Sequence, residues 1–204
     1  MTTFVLASGN AKKLKELDTL LAPLGFDIRP QRDFDVPEAE ETGLTFVENA
    51  IIKARNACRH TGLAAIADDS GLEVDALNGA PGVFSARFAG PDASDQKNNA
   101  LLVDMLSDLP EGTPRSARYH AIIVLMRHED DPTPLIAQGT WEGEIVLTAQ
   151  GDGGFGYDPH FYLADYQLTA AQLDAAEKNR ISHRGQAIRA LEQLLARYFP
   201  GATH

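Results

Sequence analysis

Gly153-Gly154-Phe155-Gly156-Tyr157-Asp158-Pro159 sets two aromatic rings and a carboxylate among three glycines and a proline. Three glycines suit neither a helix nor most strands, and they let other groups come close to the backbone. The rings are flat surfaces on which a nucleobase could stack, and Asp158 could accept from a ring N–H. A glycine-rich turn whose aromatics merely plug a core is the competing account, and the segment alone leaves the two even. Further along, Glu177-Lys178-Asn179-Arg180-Ile181-Ser182-His183-Arg184-Gly185 supplies Lys178, His183 and Arg184, donors able to read the polar edge of such a base. Lys178 and Arg184 would equally suit a solvated helix start, and a lone histidine such as His183 more often makes a structural hydrogen bond.

Phosphate and metal chemistry is written elsewhere in the chain. Ala67-Asp68-Asp69-Ser70-Gly71 follows an apolar strand. Two adjacent carboxylates at a strand's end are costly unless something positive lies beside them, which a divalent cation would supply. Asp69 could bind that metal or take a proton from water, and Ser70 could touch a phosphate. The alternative is a loop in which Asp caps a turn, and the apolar lead-in favours function. Glu40-Glu41-Thr42-Gly43 precedes a capped helix that carries Lys53. One of these acids could hold magnesium, which takes carboxylates, water and substrate phosphates; both could instead simply answer the helix dipole. Lys53 could reach a phosphate, but unaided it reads as a solvent-exposed lysine.

Ser8-Gly9-Asn10-Ala11-Lys12-Lys13 stands where a strand hands over to a helix. Free N–H groups and the helix dipole make that junction a natural anion site, and Lys13 adds a point charge. Ordinary helix caps use the same Ser, Gly and Asn, and for this hexamer alone capping is the better explanation. The Walker spacing is absent, so no P-loop is indicated. His60, His120, His128, His160 and His204 show no ligand spacing, which leaves zinc without support.

The elements that must position these residues follow from hydrophobic period and punctuation. Residues 3–7 predict a buried strand, and a helix follows from about Asn10, stopped by Gly25. Phe26 to Arg29 is a weak second strand. Thr45 with Glu48 forms a capping-box pattern opening a helix that turns Ala50, Ile51, Ala54 and Cys58 inward and closes at Gly62. Ala64–Ala67 and Leu72–Ala76 predict strands around a polar turn, and a third helix spans about Ser94 to Leu106. Ala117 to Met126 is the longest strand signal; Leu135–Trp141, Glu144–Leu147 and Phe161–Leu163 are further strands. A final helix from about Ser182 buries Ile188, Leu191, Leu195 and Tyr198 and ends at Pro200. Helices and strands alternate early and strands cluster later, which predicts α/β with a mixed sheet. No linker separates independent domains, so 1–204 is expected to form one α/β unit.

The 204 residues are 44% hydrophobic, enough for a full core, and carry a formal net charge of -11. Such a surface repels duplex nucleic acid, so a polyanionic ligand must meet a local cluster of Lys and Arg or a metal ion. The single cysteine, Cys58, rules out an internal disulfide and falls among apolar helix positions. No segment approaches the roughly 18 apolar residues of a membrane span, and the opening residues lack a targeting pattern. A cytosolic, cytoplasmic protein without membrane or nucleic-acid partners is expected.

Six motifs occur together: Ser-Gly-Asn-x-x-Lys at 8–13, Glu-Thr-Gly-Leu-Thr-Phe-x-Glu-Asn-Ala at 41–50, Ala-Asp-Asp-Ser-Gly at 67–71, Gly-Ala-Pro-Gly at 79–82, Gly-Gly-Phe-Gly-Tyr-Asp-Pro at 153–159 and Ser-His-Arg-Gly at 182–185. In this order, and over nearly the whole chain, they resemble the inosine triphosphate pyrophosphatase family, specifically its bacterial dITP/XTP pyrophosphatases. The resemblance implies an elongated α/β fold whose central mixed sheet forms a cleft between two lobes, a cytosolic homodimer, and a requirement for magnesium. It implies cleavage of inosine, deoxyinosine and xanthosine triphosphates to monophosphate and pyrophosphate, which clears damaged purines from nucleotide pools. By the same resemblance, Ser8, Gly9, Asn10, Ala11, Lys12 and Lys13 hold the triphosphate, with Lys53 and Ser70 contacting substrate. Asp69 is the proton acceptor and a metal ligand, with Glu41 as its metal partner and Glu40 as the less certain one. Phe155, Gly156, Tyr157 and Asp158 embrace the base, and Lys178, His183 and Arg184 complete its recognition. Ser8 replaces a threonine common in that family and keeps the hydroxyl. Two rivals remain at this point: a nucleotide sensor that binds without cleaving, and a related pyrimidine nucleotide pyrophosphatase of the septum-inhibitor type.

Overall fold

The apolar run that opens the chain becomes strand β1 (Thr2–Leu6), in which Phe4, Val5 and Leu6 are fully buried, as both faces of a central parallel strand should be. A computed structural model describes residues 2–8, 17–18 and 21–199. β1 pairs in parallel with β2 (Phe26–Pro30) on one side, Phe4 opposite Ile28, and with β3 (Ala64–Val74) on the other. β4 (Ser116–Met126), β5 (Leu135–Ile145), β6 (Phe161–Leu163) and β7 (Leu168–Thr169) complete a seven-stranded sheet. Its order is β2-β1-β3-β4-β5-β6-β7, and the β5–β6 and β6–β7 pairs are antiparallel. The sheet is therefore mixed, as the alternation of elements predicts.

Helix α1 (Phe46–Thr61) starts at the predicted capping box. The Glu48 N–H donates to the Thr45 hydroxyl, the Thr45 N–H donates to the Glu48 carboxylate at 2.9 Å, and Gly62 closes the helix at φ 69°. Its inner face carries Ala50, Ala54, Ala57 and Cys58 against Val5, Ala7, Ala65, Ala67 and Val124. Small side chains on both surfaces let the helix lie close to the strands. The other face of β1 packs Phe4 and Leu6 with Phe26, Ile66, Leu125 and, from α4 (His183–Tyr198), Ile188, Leu191 and Leu195. Tyr198, expected on that buried face, is instead exposed as the last residue of α4.

The chain groups into two units, Met1–Asp69 with Ala121–Gly139 and Gln186–His204, and Ser70–His120 with Thr140–Gly185. The boundaries fall inside β3, β4, β5 and α4. The second unit has its own core of Leu72, Val74, Leu102, Leu106, Tyr119, Trp141 and Phe161. Helix α2 (Asp95–Ser107), capped by the Ser94 hydroxyl, contributes Leu102 and Leu106 to it.

Three departures from the sequence-based expectations concern the site. The polar turn expected between two strands at Asp68–Gly71 does not exist: β3 runs unbroken from Ala64 to Val74, between β1 and β4 in the sheet. Leu135–Trp141 and Glu144–Leu147 are likewise not two strands; one strand, β5, runs from Leu135 to Ile145 and passes through Gly143, where a Cβ would meet the Phe161 ring at 2.7 Å. A short helix, α3 (Ala175–Ile181), precedes α4, capped by the Asp174 carboxylate. With no buried residue in it, α3 leaves no apolar period to read. The helix expected from about Asn10 lies largely outside the described residues, as does Pro200. Among the described residues, no helix is long and apolar enough to cross a membrane.

Candidate active site

Strand alternation decides what the two aspartates do. Ala65 and Ala67 face α1, so Asp69, two residues on, faces the same way, while Asp68 points to the opposite side. The two carboxylates therefore do not confront each other at a turn, as their adjacency in sequence suggests. Asp69 meets Lys53 on α1 instead. The Lys53 ammonium donates to Asp69 Oδ1 at 3.1 Å and to Glu41 Oε1 at 2.9 Å. Its side chain is only 17% exposed, so Lys53 is not the solvated lysine its position in the helix suggests.

Burial pushes the Asp69 carboxyl above its ordinary value, against the opposing pull of the Lys53 charge. The same burial disfavours the Lys53 ammonium, yet Asp69, Glu41 and Asp68 together outweigh it and hold that lysine more firmly protonated than usual. Asp69 Oδ2 is buried and has no hydrogen-bond partner among the described residues. An ionisable oxygen in that condition asks for a proton, a water or a cation. Glu41 is brought to this cluster; Glu40 is exposed and does not join the ion pairs of Lys53. Ser70 is half-buried in β3 directly after Asp69, and Ser8 is half-buried just past β1, where the Ala7 N–H still donates to the Ile66 carbonyl at 2.8 Å. Gly9, Asn10, Ala11, Lys12 and Lys13 lie outside the described residues.

In the second unit the glycine-rich segment divides its two rings between the two competing accounts. Tyr157 is buried and donates its hydroxyl to the Ser85 carbonyl at 2.8 Å, so it is a core plug. Phe155 is 47% exposed, with Lys178 Nζ 4.9 Å and Arg184 Cζ 5.4 Å from its ring centroid. A flat, accessible ring beside two cations is a surface for an electron-rich or oxygen-bearing heterocycle. Asp158, 3% exposed, holds this arrangement together: its Oδ2 accepts the Phe155 N–H at 2.7 Å and the Lys178 ammonium. Gly154 sits at φ 76°, and a Cβ there would run into Asp158 and come within 2.9 Å of Lys178 Nζ. His183 is 8% exposed, its ring stacked on Tyr119 at 4.7 Å and 9°.

A sequence model described as the Ham1 family matches residues 4–194. The chain belongs to the Ham1 family. A dITP/XTP pyrophosphatase of Chromobacterium violaceum is 62% identical over 187 residues, covering 92% of this chain and 93% of that protein. One of Thioalkalivibrio sulfidiphilus is 59% identical over 191 residues, covering 94% and 97%. A solved HAM1 protein from Coxiella burnetii superposes with a TM-score of 0.94 at 53% identity, covering 97% of this chain and all of that one.

Around the exposed ring of this Ham1 protein, sequence reasoning missed three contributors: Tyr119 beneath His183, and Asp95 and Asn99 of α2. The Gly156 N–H donates to Asp95 Oδ2 at 2.7 Å, and Asn99 Nδ2 donates to the Gly156 carbonyl at 2.8 Å. The one available signal was their spacing, which places both on one side of a helix a single turn apart.

Proposed function

We propose that this Ham1-family protein hydrolyses ITP, dITP and XTP to the nucleoside monophosphate and pyrophosphate, keeping these bases out of nucleic acid. The observation that carries it is the buried, unpartnered Asp69 Oδ2 beside a lysine that grips the other oxygen of the same carboxylate. The identity to dITP/XTP pyrophosphatases over almost the full chain supports the substrate class.

Lys53 favours the ionised form of Asp69 against the effect of burial and aims the carboxylate, because its ammonium is fixed by Glu41 as well. Asp69 then orients a water with Oδ2 and takes its proton as the water oxygen attacks the α-phosphorus. The bond from that phosphorus to the bridging oxygen breaks, and pyrophosphate leaves. Glu41 and Asp69 would hold magnesium, with Glu40 as the alternative to Glu41. Two carboxylates completed by water and phosphate suit that ion. When bound, magnesium supplies charge neutralisation at the phosphates and at the leaving group.

At the base, Lys178 and Arg184 beside Phe155 offer donors to the oxygen at purine position 6. Adenine carries an amine there, and donor against donor costs about 1–3 kcal/mol per unpaired group. Pyrophosphate release from ITP, dITP, XTP, GTP and ATP with magnesium tests the assignment. Turnover of ITP and XTP at least about tenfold above ATP is expected, and equal turnover of all five would overturn it. A cytoplasmic homodimer belongs to the same proposal, and light scattering of the purified chain checks the stoichiometry.

A further inference from the structure

Gly156, the residue next to the exposed Phe155 ring, is gripped on both polar atoms of its main chain by one helix. Asp95 accepts its N–H and Asn99 donates to its carbonyl, at 2.7 and 2.8 Å. Both grips come from α2, a single turn apart. The neighbouring Asn98 ties α2 to a third segment: its Oδ1 accepts the Ala89 N–H at 2.8 Å, and its amide donates to the Ser85 and Ala86 carbonyls. Ser85 also receives the Tyr157 hydroxyl. Thus Gly156 and Tyr157 are fastened to α2 and to the segment α2 itself holds. Gly156 sits at φ 62°, a left-handed conformation that glycine adopts without strain.

A turn of this composition would otherwise sample many conformations, and each ligand that bound it would have to order it first. We propose that Asp95 and Asn99 are positioning residues for the base site, acting through Gly156 to hold the Phe155 ring at a fixed attitude to Lys178 and Arg184. The pair needs no contact with the nucleotide. Its effect is on affinity and on discrimination among bases, because the donors of Lys178 and Arg184 select only while the stacking plane is fixed. The consequence is a split: loss of the clamp raises KM and narrows base preference, while the acid–lysine cluster of the first unit keeps its chemistry and kcat.

This rests on the proposed pyrophosphatase activity, and two readouts on the full-length protein keep the two apart. Asn99→Asp is nearly isosteric but sets an acceptor against the Gly156 carbonyl, and Asp95→Ala removes the acceptor for its N–H. Both are expected to raise KM for ITP about tenfold with kcat within about twofold, and to narrow the ITP-to-ATP ratio of kcat/KM. Inhibition by pyrophosphate, which has no base, stays unchanged. Asp95→Asn keeps an acceptor oxygen and restores the wild-type KM. Amide hydrogen exchange across 155–158 is expected to quicken about tenfold in the first two variants and not in the third. Wild-type protein that leaves ITP intact would sink the activity instead. Unchanged exchange, or faster exchange with KM and base ratio untouched, overturns the clamp.

Discussion

Asp69 is the residue on which the chemistry turns, and its two oxygens have different duties. Oδ1 is committed to Lys53, so only Oδ2 is available to water or metal. Asp69→Asn keeps the shape but removes the proton acceptor, and is expected to lower kcat about 10²–10⁴-fold while KM changes little. Steady-state pyrophosphate release measures both, and near-normal turnover would remove Asp69 from that role. At the base, Gly154→Ala puts a methyl group where Asp158 and Lys178 already sit, at a positive φ. Strain of about 1–3 kcal/mol is expected there, equivalent to about 5- to 150-fold in KM for ITP. A variant with unchanged KM would show that the Asp158–Lys178 pair does not order the ring.

At the scale of elements, α1 matters because it carries Lys53, and its start is secured by the Thr45–Glu48 box. Thr45→Ala is expected to cost about 1 kcal/mol of stability, read by urea unfolding. The loop joining β4 to β5 depends on Asp131, whose buried carboxylate accepts the main-chain N–H groups of Arg127 and Thr133 at 2.9 and 3.0 Å and the Arg127 guanidinium. The guanidinium hydrogen bonds hold its carboxyl far below the usual range. A lowered folded-state value means stability present above the unfolded value of about 3.9 and lost as pH falls toward the folded one. Asp131→Ala, which orphans those N–H groups, is expected to cost about 1–3 kcal/mol at pH 7. The gap to wild type should hold down to about pH 5 and shrink below about pH 4. A gap independent of pH would show that the ionised carboxylate is not what holds the loop. Both caps of α1 were legible because capping is local: Thr45, Glu48 and Gly62 speak to residues within one turn of themselves. The unbroken course of β3 was not, because Asp68-Asp69-Ser70-Gly71 are poor strand residues that are extended only as part of the sheet.

At the scale of the molecule, β3, β4 and β5 each run through the boundary between the two units, so neither unit can lose its share of the sheet alone. The single tryptophan, Trp141, lies in the core of the second unit. Its fluorescence and far-UV circular dichroism are therefore expected to report coincident urea transitions, and two separated midpoints would mean that the units unfold independently.

Sequence alone determined most of the element types, the mixed α/β class and the chemical inventory, since periodicity, capping residues and motif order are properties of neighbours along the chain. It also placed the chain with its relatives, because six motifs in order are information that needs no coordinates. Tertiary structure decided which of two aromatic rings faces outward, that Asp68 and Asp69 part to opposite faces of a strand, and that Lys53 is buried between acids. It alone joined Gly156 to Asp95 and Asn99, 61 and 57 positions away. Those outcomes depend on which strand or helix lies alongside. Side-chain direction and pairing at such separations are set by packing, not by any local preference of the residues themselves.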